Sequence, residues 1–267
     1  MPRFFKVLLH TIRLNFILLL SLSILLTDIL ILPDDATADA ASATGNSNSG
    51  ISVGLPPEVY RYRKPSFDGT GRVYMGREIS EVMGHQGAGW LERRDRVQEE
   101  KPNQLIESLS LNPTDVVADI GAGTGYISFR LAPFVAQGKV LAVDIQPEMI
   151  DILRDRISKT GVRNIQPILG TEQDPHLPPE SVNLAILVDA YHEFSYPREI
   201  MTMIVKALKP GGKVALVEYR EEDPLVFIKP HHKMTQKQAK EEMKAIGLTW
   251  RETRSSLPQQ HLMIFQK

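Results

Sequence analysis

The sequence predicts an α/β protein built on a mainly parallel sheet, and three observations predict it. From about residue 112 onward, short apolar runs alternate with helix-patterned segments of about 10–15 residues, the rhythm of βαβ units. Three glycines at alternate positions, Gly121, Gly123 and Gly125, join the first apolar run to the first helical one. The last connection, Arg254–Gln260, is too short for a crossover helix, so the final strand is expected to run antiparallel.

Taken in order, residues 1–40 read as an address. Arg3, Lys6 and Arg13 lead into an apolar run from Leu14 to Leu32, which Pro33 ends. Ala38-Asp39-Ala40 has the small-x-small form of a cleavage site, so the order is that of a secretory signal peptide. An uncleaved membrane anchor is the second reading, although Asp28 shortens the clean run below the ~20 residues of a span. In both readings the rest of the chain is exported or tethered on the periplasmic or extracellular side, with membrane association through residues 14–32. Residues 41–73 read as a flexible linker, small, polar and rich in Gly and Pro at their start. Residues 74–110 are expected to form a helical cap, with helices over Met75–Met83, Trp90–Glu100 and Gln104–Ser110.

The remaining domain, 111–267, opens with a strand over Val116–Ile120 and a helix over Tyr126–Val135. A second strand, Lys139–Asp144, precedes a helix over Pro147–Thr160, with Pro in its first turn and Gly161 past its end. Third and fourth strands are expected over Asn164–Leu169 and Val182–Val188, then a helix over Tyr196–Leu208 capped by Ser195. Pro210-Gly211-Gly212 makes a turn into a fifth strand, Lys213–Tyr219. Thr235 with Gln238 forms a capping box for a helix ending near Gly247. Leu248–Thr253 and His261–Gln266 supply the last two strands.

Composition removes several function classes. The 267 residues carry 31 basic and 32 acidic side chains, so no global basic field exists to hold nucleic acid. Cysteine is absent, which excludes disulfides, thiolate metal sites, a Cys nucleophile and a lipoprotein anchor. The histidines do not suggest a metal site. Neighbouring side chains such as His231 and His232 diverge, and neither they nor His261 have a supporting carboxylate or Cys spacing, so no metal is expected.

The stretch Ala118-Asp119-Ile120-Gly121-Ala122-Gly123-Thr124-Gly125 carries the chemistry. A strand ending in glycines lets the backbone approach a ligand closely, and the next helix presents free N–H groups. Asp144 ends the following strand, where a carboxylate can accept from both hydroxyls of a ribose. A dinucleotide fingerprint would need Gly where Tyr126 stands, and the G-K-[ST] of a phosphate loop is missing. Asp119 decides the charge of the ligand. A carboxylate there repels a pyrophosphate and attracts ammonium and sulfonium, which favours S-adenosyl-L-methionine.

These residues, with Val143-Asp144-Ile145-Gln146-Pro147-Glu148-Met149 and the turn Leu208-Lys209-Pro210-Gly211-Gly212-Lys213, resemble the class I S-adenosylmethionine-dependent methyltransferase family over about Leu111–Lys267. The resemblance implies a Rossmann-like seven-stranded sheet of order 3-2-1-4-5-7-6 with the last strand antiparallel. It implies Gly121, Ala122, Gly123 and Gly125 against the methionine part of the cofactor, Asp119 near its amino group, Asp144 on the ribose and Ile145 against the adenine. Many relatives carry Gly-Asp-Ala after the third strand; here Thr171 replaces the acid, and Glu172 or Asp174 takes its place at the adenine edge.

The acceptor side is expected in Asp189-Ala190-Tyr191-His192-Glu193-Phe194, after the fourth strand. His192 reads either as a general base or acceptor-orienting group, or as a histidine satisfied by packing. Asp189 steadies the cofactor side or a loop, and Tyr191 is a substrate candidate. In the cap, Trp90 reads as a lid over the cofactor, with Arg93 or Arg96 meeting an anionic acceptor or the cofactor carboxylate; the second reading is a salt-bridged amphipathic helix in which Glu92 pairs with Arg96 and Trp90 packs on the sheet. The function expected is methyl transfer to a small-molecule or lipid-like acceptor; the alternative is an exported, non-catalytic binder of the cofactor or its product. Export stands in tension with a cofactor supplied in the cytosol.

Overall fold

The computed structural model describes residues 59–267. The leader expected over residues 1–40, and the linker up to residue 58, lie outside the described residues. The described chain begins with β1 (Tyr60–Tyr62), β2 (Gly69–Tyr74) and β3 (Arg77–Ser80), followed by α1 (Ala88–Leu91), α2 (Arg96–Glu100) and α3 (Pro102–Ser108). The alternating body then runs β4 (Val116–Ile120), α4 (Ser128–Leu131), β5 (Lys139–Asp144), α5 (Pro147–Thr160), β6 (Ile165–Leu169), β7 (Val182–Val188) and α6 (Pro197–Ala207). It closes with β8 (Leu208–Arg220), β9 (Lys233–Met234), α7 (Gln236–Ala245), β10 (Thr249–Arg254) and β11 (Gln260–Gln266).

The main sheet has the order β10-β11-β8-β7-β4-β5-β6, with β9 paired to the end of β8. Strands β6, β5, β4, β7 and β8 are mutually parallel, and β11 runs antiparallel to both neighbours. Counted from β4 and setting β9 aside, this is the expected 3-2-1-4-5-7-6. Side chains alternate between two cores. One face of the sheet packs Ile120, Leu187 and Phe265 against Met201 and Ile204 of α6 and Met243 of α7. The other packs Val117, Ile186 and Ile264 against Ile106 of α3, Leu131 of α4 and Leu153 of α5. Burial on both faces explains why these strands read as continuous apolar runs.

Before the body the structure departs from expectation. Residues 60–80 form a three-stranded antiparallel sheet where a linker and a helix were expected. The deciding feature is the Met75-Gly76 pair, both with positive φ (47° and 100°), as a two-residue hairpin turn of the primed type requires. Tyr74 and Ile79 are then buried from adjacent strands. The helix expected over Trp90–Glu100 is split into α1 and α2.

Further local readings are corrected. The helix expected over Tyr126–Val135 is α4 followed by a 3₁₀ turn, Ala132–Val135. Ser195 does not cap α6: Tyr196 occupies that position, and Ser195 Oγ donates to Glu172 Oε1 at 3.0 Å. The Pro210-Gly211-Gly212 turn is absorbed into β8, where the register with β7 breaks between Val182 and Leu184. Thr235 caps α7, with Gln238 N–H donating to Thr235 Oγ1 at 3.1 Å, but the Gln238 side chain donates to Met75 O and Glu242 Oε1 and does not close the expected capping box.

Candidate active site

Strands β4 and β7 are neighbours whose connections leave toward opposite edges, and ligands bind at such a switch point, beyond the carboxyl ends. A cavity of about 520 Å³ opens there, within the range of small-molecule sites. The loop after β4 forms its floor. Gly121 and Gly123 hold φ of +75° and +54°, a region that penalises a side chain. A Cβ on Gly121 would stand 2.7 Å from Ala190 Cβ, and one on Gly123 would stand 2.7 Å from Leu91 Cδ1. Gly125 does not line the cavity; it packs the start of α4 against Leu153.

Asp144, at the end of β5, is fixed by backbone amides. Gly123 N–H donates to Oδ2 at 2.8 Å and Gln146 N–H to Oδ1 at 2.9 Å. Burial raises its pKa. Each oxygen keeps a lone pair for a ligand hydroxyl. Ile145, more than a third exposed, forms the adjacent wall. Thr171 and Glu172 edge the cavity, whereas Asp174 turns into its own loop and accepts from His176 N–H at 2.8 Å. Of the two acids considered for this edge, Glu172 is the one present.

The floor also holds Asp119, buried, and Asp189, half-buried; neither is in an ion pair, although the charge of Arg96 acts on both. Asp119 accepts from Ser128 Oγ at 2.6 Å, and burial pushes its carboxyl up to about 6. Asp189 accepts from Gln260 Nε2 at 2.7 Å with one oxygen, while the other is buried with no partner. Burial first, and then the charges of Glu100 and Glu218, hold its pKa well above the ordinary range. A recess lined by a ribose-type acid and by carboxylates outside any ion pair suits a nucleoside bearing an ammonium group. Those features fit S-adenosylmethionine.

The lid candidates separate. Trp90 lines the cavity and is 46% exposed at its rim. Arg93 does not line it: the guanidinium stacks 3.8 Å over the Trp90 ring and bonds Glu99 and Glu100. Arg96 reaches the cavity instead, stacked 4.1 Å over Tyr126 and held by Glu100 Oε2 at 2.7 Å. Glu92 does not pair with Arg96 as expected; its Oε1 accepts from Thr124 Oγ1 and Arg156 Nη1, both at 2.6 Å. Tyr191 is no substrate contact. It is buried in the core, and its hydroxyl donates to Glu242 Oε2 at 2.6 Å.

His192 lines the cavity at 2% exposure, and both ring nitrogens are engaged. Nδ1 lies 2.5 Å from Glu218 Oε2, and Nε2 lies 3.0 Å from His232 Nδ1. His232 Nε2 in turn lies 2.7 Å from Asp68 Oδ2. Sequence reasoning missed Asp68, Glu218 and His232 in this role. His231 and His232 do diverge, as neighbours must: His231 Nε2 turns to Ser66 Oγ at 2.6 Å. Nothing local ties His232 to a histidine forty positions earlier. The N-terminal hairpin steadies this segment, since Arg77 Nη1 donates to His192 O at 3.2 Å and Met83 N–H to Glu193 Oε2 at 3.2 Å.

Comparison with known proteins agrees with this geometry. Residues 117–212 match the methyltransferase domain family. A methyltransferase-like protein of Schizosaccharomyces pombe is 28% identical over 148 residues, 55% of each chain. The ubiquinone/menaquinone biosynthesis C-methyltransferase of Wigglesworthia glossinidia brevipalpis is 29% identical over 119 residues, 44% of this chain and 48% of that one. The chain thus spans about half the length of the curated relatives it matches. The crystal structure of an S-adenosylmethionine-dependent methyltransferase from Aquifex aeolicus superposes with a TM-score of 0.66 at 19% identity, covering 69% of this chain and 99% of that one, a likeness of fold. Over residues 117–212 by sequence, and over most of the described chain by fold, the protein is similar to S-adenosylmethionine-dependent methyltransferases.

Proposed function

We propose that the protein transfers a methyl group from S-adenosylmethionine to a small-molecule or lipid-like acceptor. The observation that carries this reading is the cavity itself, which Asp144, Asp119 and Asp189 line together with Gly121 and Gly123. When bound, the cofactor supplies an activated methyl on a sulfonium and its own leaving group. The protein's task is then to hold and orient. Asp144 accepts from the ribose hydroxyls, the acids of the floor accept from the ammonium, and Trp90 and Leu91 exclude water from above. His192 orients the acceptor; with both nitrogens engaged, it is not a free base. The cavity's apolar walls, from Val82, Met83, Phe194 and Phe227, suit an acceptor with a hydrophobic body. The name of the Wigglesworthia relative points the same way.

The test is incubation of the full chain with methyl-labelled cofactor and fractionated cell extract. Label in an extractable small-molecule or lipid fraction is the expected result. Tight cofactor binding with no transfer to any fraction would instead support a non-catalytic binder.

We also propose that the domain is exported, from the basic start at Arg3, Lys6 and Arg13 and the cleavage-like Ala38–Ala40. No helix among the described residues is long and apolar enough to cross a membrane. Fractionation that recovers the chain in the soluble cytosol with an intact N-terminus would contradict export.

A further inference from the structure

On the acceptor side of the cavity, the two imidazoles that face each other pose a chemical question. His192 Nδ1 is 2.5 Å from the wholly buried carboxylate of Glu218, and His232 Nε2 is 2.7 Å from Asp68. A carboxylate accepts a hydrogen bond from an N–H at each of these outer nitrogens. In the neutral rings, the inner nitrogens are then both lone-pair acceptors. They nevertheless lie 3.0 Å apart. Two acceptors at that distance repel unless a proton or a metal cation lies between them.

A third donor completes the group. Glu193 Oε1 is 3.8 Å from His192 Nε2 and 3.5 Å from His232 Nδ1. Ligands about 2.0–2.1 Å from a tetrahedral zinc are separated by about 3.3 Å, and the three separations here, 3.0, 3.5 and 3.8 Å, bracket that value. The point equidistant from all three atoms lies about 2.0 Å from each, at the bond length of a Zn–N or Zn–O contact.

The surroundings match the outer shell of a metal site. Metal-bound histidines commonly donate their remaining N–H to a carboxylate, which fixes the tautomer and strengthens the ligand. Both histidines here are held in that way. The nearby charges are the carboxylates of Glu193, Glu218 and Asp68, offset by Lys229 Nζ at 2.6 Å from Asp68, while Arg77, which bonds the His192 carbonyl, is balanced by its ion pair with Glu242. A divalent cation meets a net negative site. All three donors line the cavity, so the remaining coordination position opens into it.

We propose that His192, Glu193 and His232 bind one divalent transition metal ion, of the zinc class, whose open position receives the acceptor through an ionisable oxygen or sulfur. Two histidines and one carboxylate with an open position form a ligand set of catalytic rather than structural type. The metal site stands on its own geometry; only its role toward an acceptor rests on the methyltransferase reading.

The experiment uses the full-length chain, purified without a histidine tag and stripped by chelator, titrated with ZnCl₂ in a calorimeter and with CoCl₂ by visible absorption. One saturable equivalent is expected, with a cobalt spectrum of nitrogen and oxygen donors at low coordination number. Asp68→Asn, which leaves the ligands in place, should weaken zinc binding about 10- to 100-fold. His232→Gln and Glu193→Gln should weaken it further. Absence of saturable binding by the parent would overturn the proposal, as would zinc affinity unchanged in His232→Gln. The parent titrations need no variant, so a variant that fails to fold leaves the test intact. Cofactor binding by the parent is measured separately, so the metal site and the methyl-donor reading can fail independently.

Discussion

Asp144 binds by both oxygens to backbone amides of the loops it joins, so it organises the glycine turn as well as facing the ligand. A hydrogen bond to a charged group contributes about 1.5–3 kcal/mol. Asp144→Ala should therefore weaken S-adenosylmethionine binding roughly 10- to 150-fold, measured by calorimetry. Asp119 makes a prediction of opposite sign for binding and stability. Burial raises its folded-state pKa to about 6, above the ordinary value for aspartate. Its contribution to stability is complete at low pH and is lost as pH rises through about 6. Asp119→Asn should then raise the melting temperature at pH 7, by up to roughly 3 kcal/mol in stability, while weakening cofactor binding. In the parent, protonation removes the charge that attracts an ammonium group. Affinity should fall by up to about tenfold per pH unit below pH 6, and the fall should be absent in the Asn variant. Such residues were legible in the sequence because strand, glycine turn and following strand lie within thirty positions. Asp68, Glu218 and His232 were not legible, since they meet His192 only through the fold.

At the scale of elements, the N-terminal hairpin fixes the segment after β7. Arg77 donates to both oxygens of Glu242 on α7, at 2.7 and 3.1 Å, and to the carbonyl of His192. Glu242 is fully buried and also receives the hydroxyl of Tyr191. Removing one partner of such a pair leaves a buried charge, so Arg77→Ala should cost about 3–5 kcal/mol in denaturant unfolding. The double change Arg77→Met with Glu242→Leu should cost less than the single one, because no unpaired charge remains. This hairpin is where sequence reasoning failed most. The turn at Met75-Gly76 carries a weak sequence signal, because Met is not a residue that favours positive φ. The main sheet was read correctly because burial on both faces leaves an apolar run at each strand, and the last connection is too short for any other topology. Of the two arginines expected at the lid, Arg96 lines the cavity and Arg93 does not.

At the scale of the molecule, the sheet order brings the ends of β4, β5 and β7 to one edge, and the antiparallel hairpin at the N-terminus adds Asp68 to it. The result is one cavity lined by the glycine loop and its acids, the proposed cofactor side, and by His192, Glu193 and His232, the proposed acceptor side. Charge sign distinguishes this cavity from one for a dinucleotide, since carboxylates at its floor oppose a pyrophosphate. The direct test is calorimetric titration of the purified full chain with S-adenosylmethionine and, in parallel, with NADH. One equivalent of the sulfonium compound should bind saturably, be displaced by its demethylated product and bind weakly to Asp144→Ala, with no saturable heat from NADH. Saturable heat from NADH together with none from S-adenosylmethionine would contradict the account.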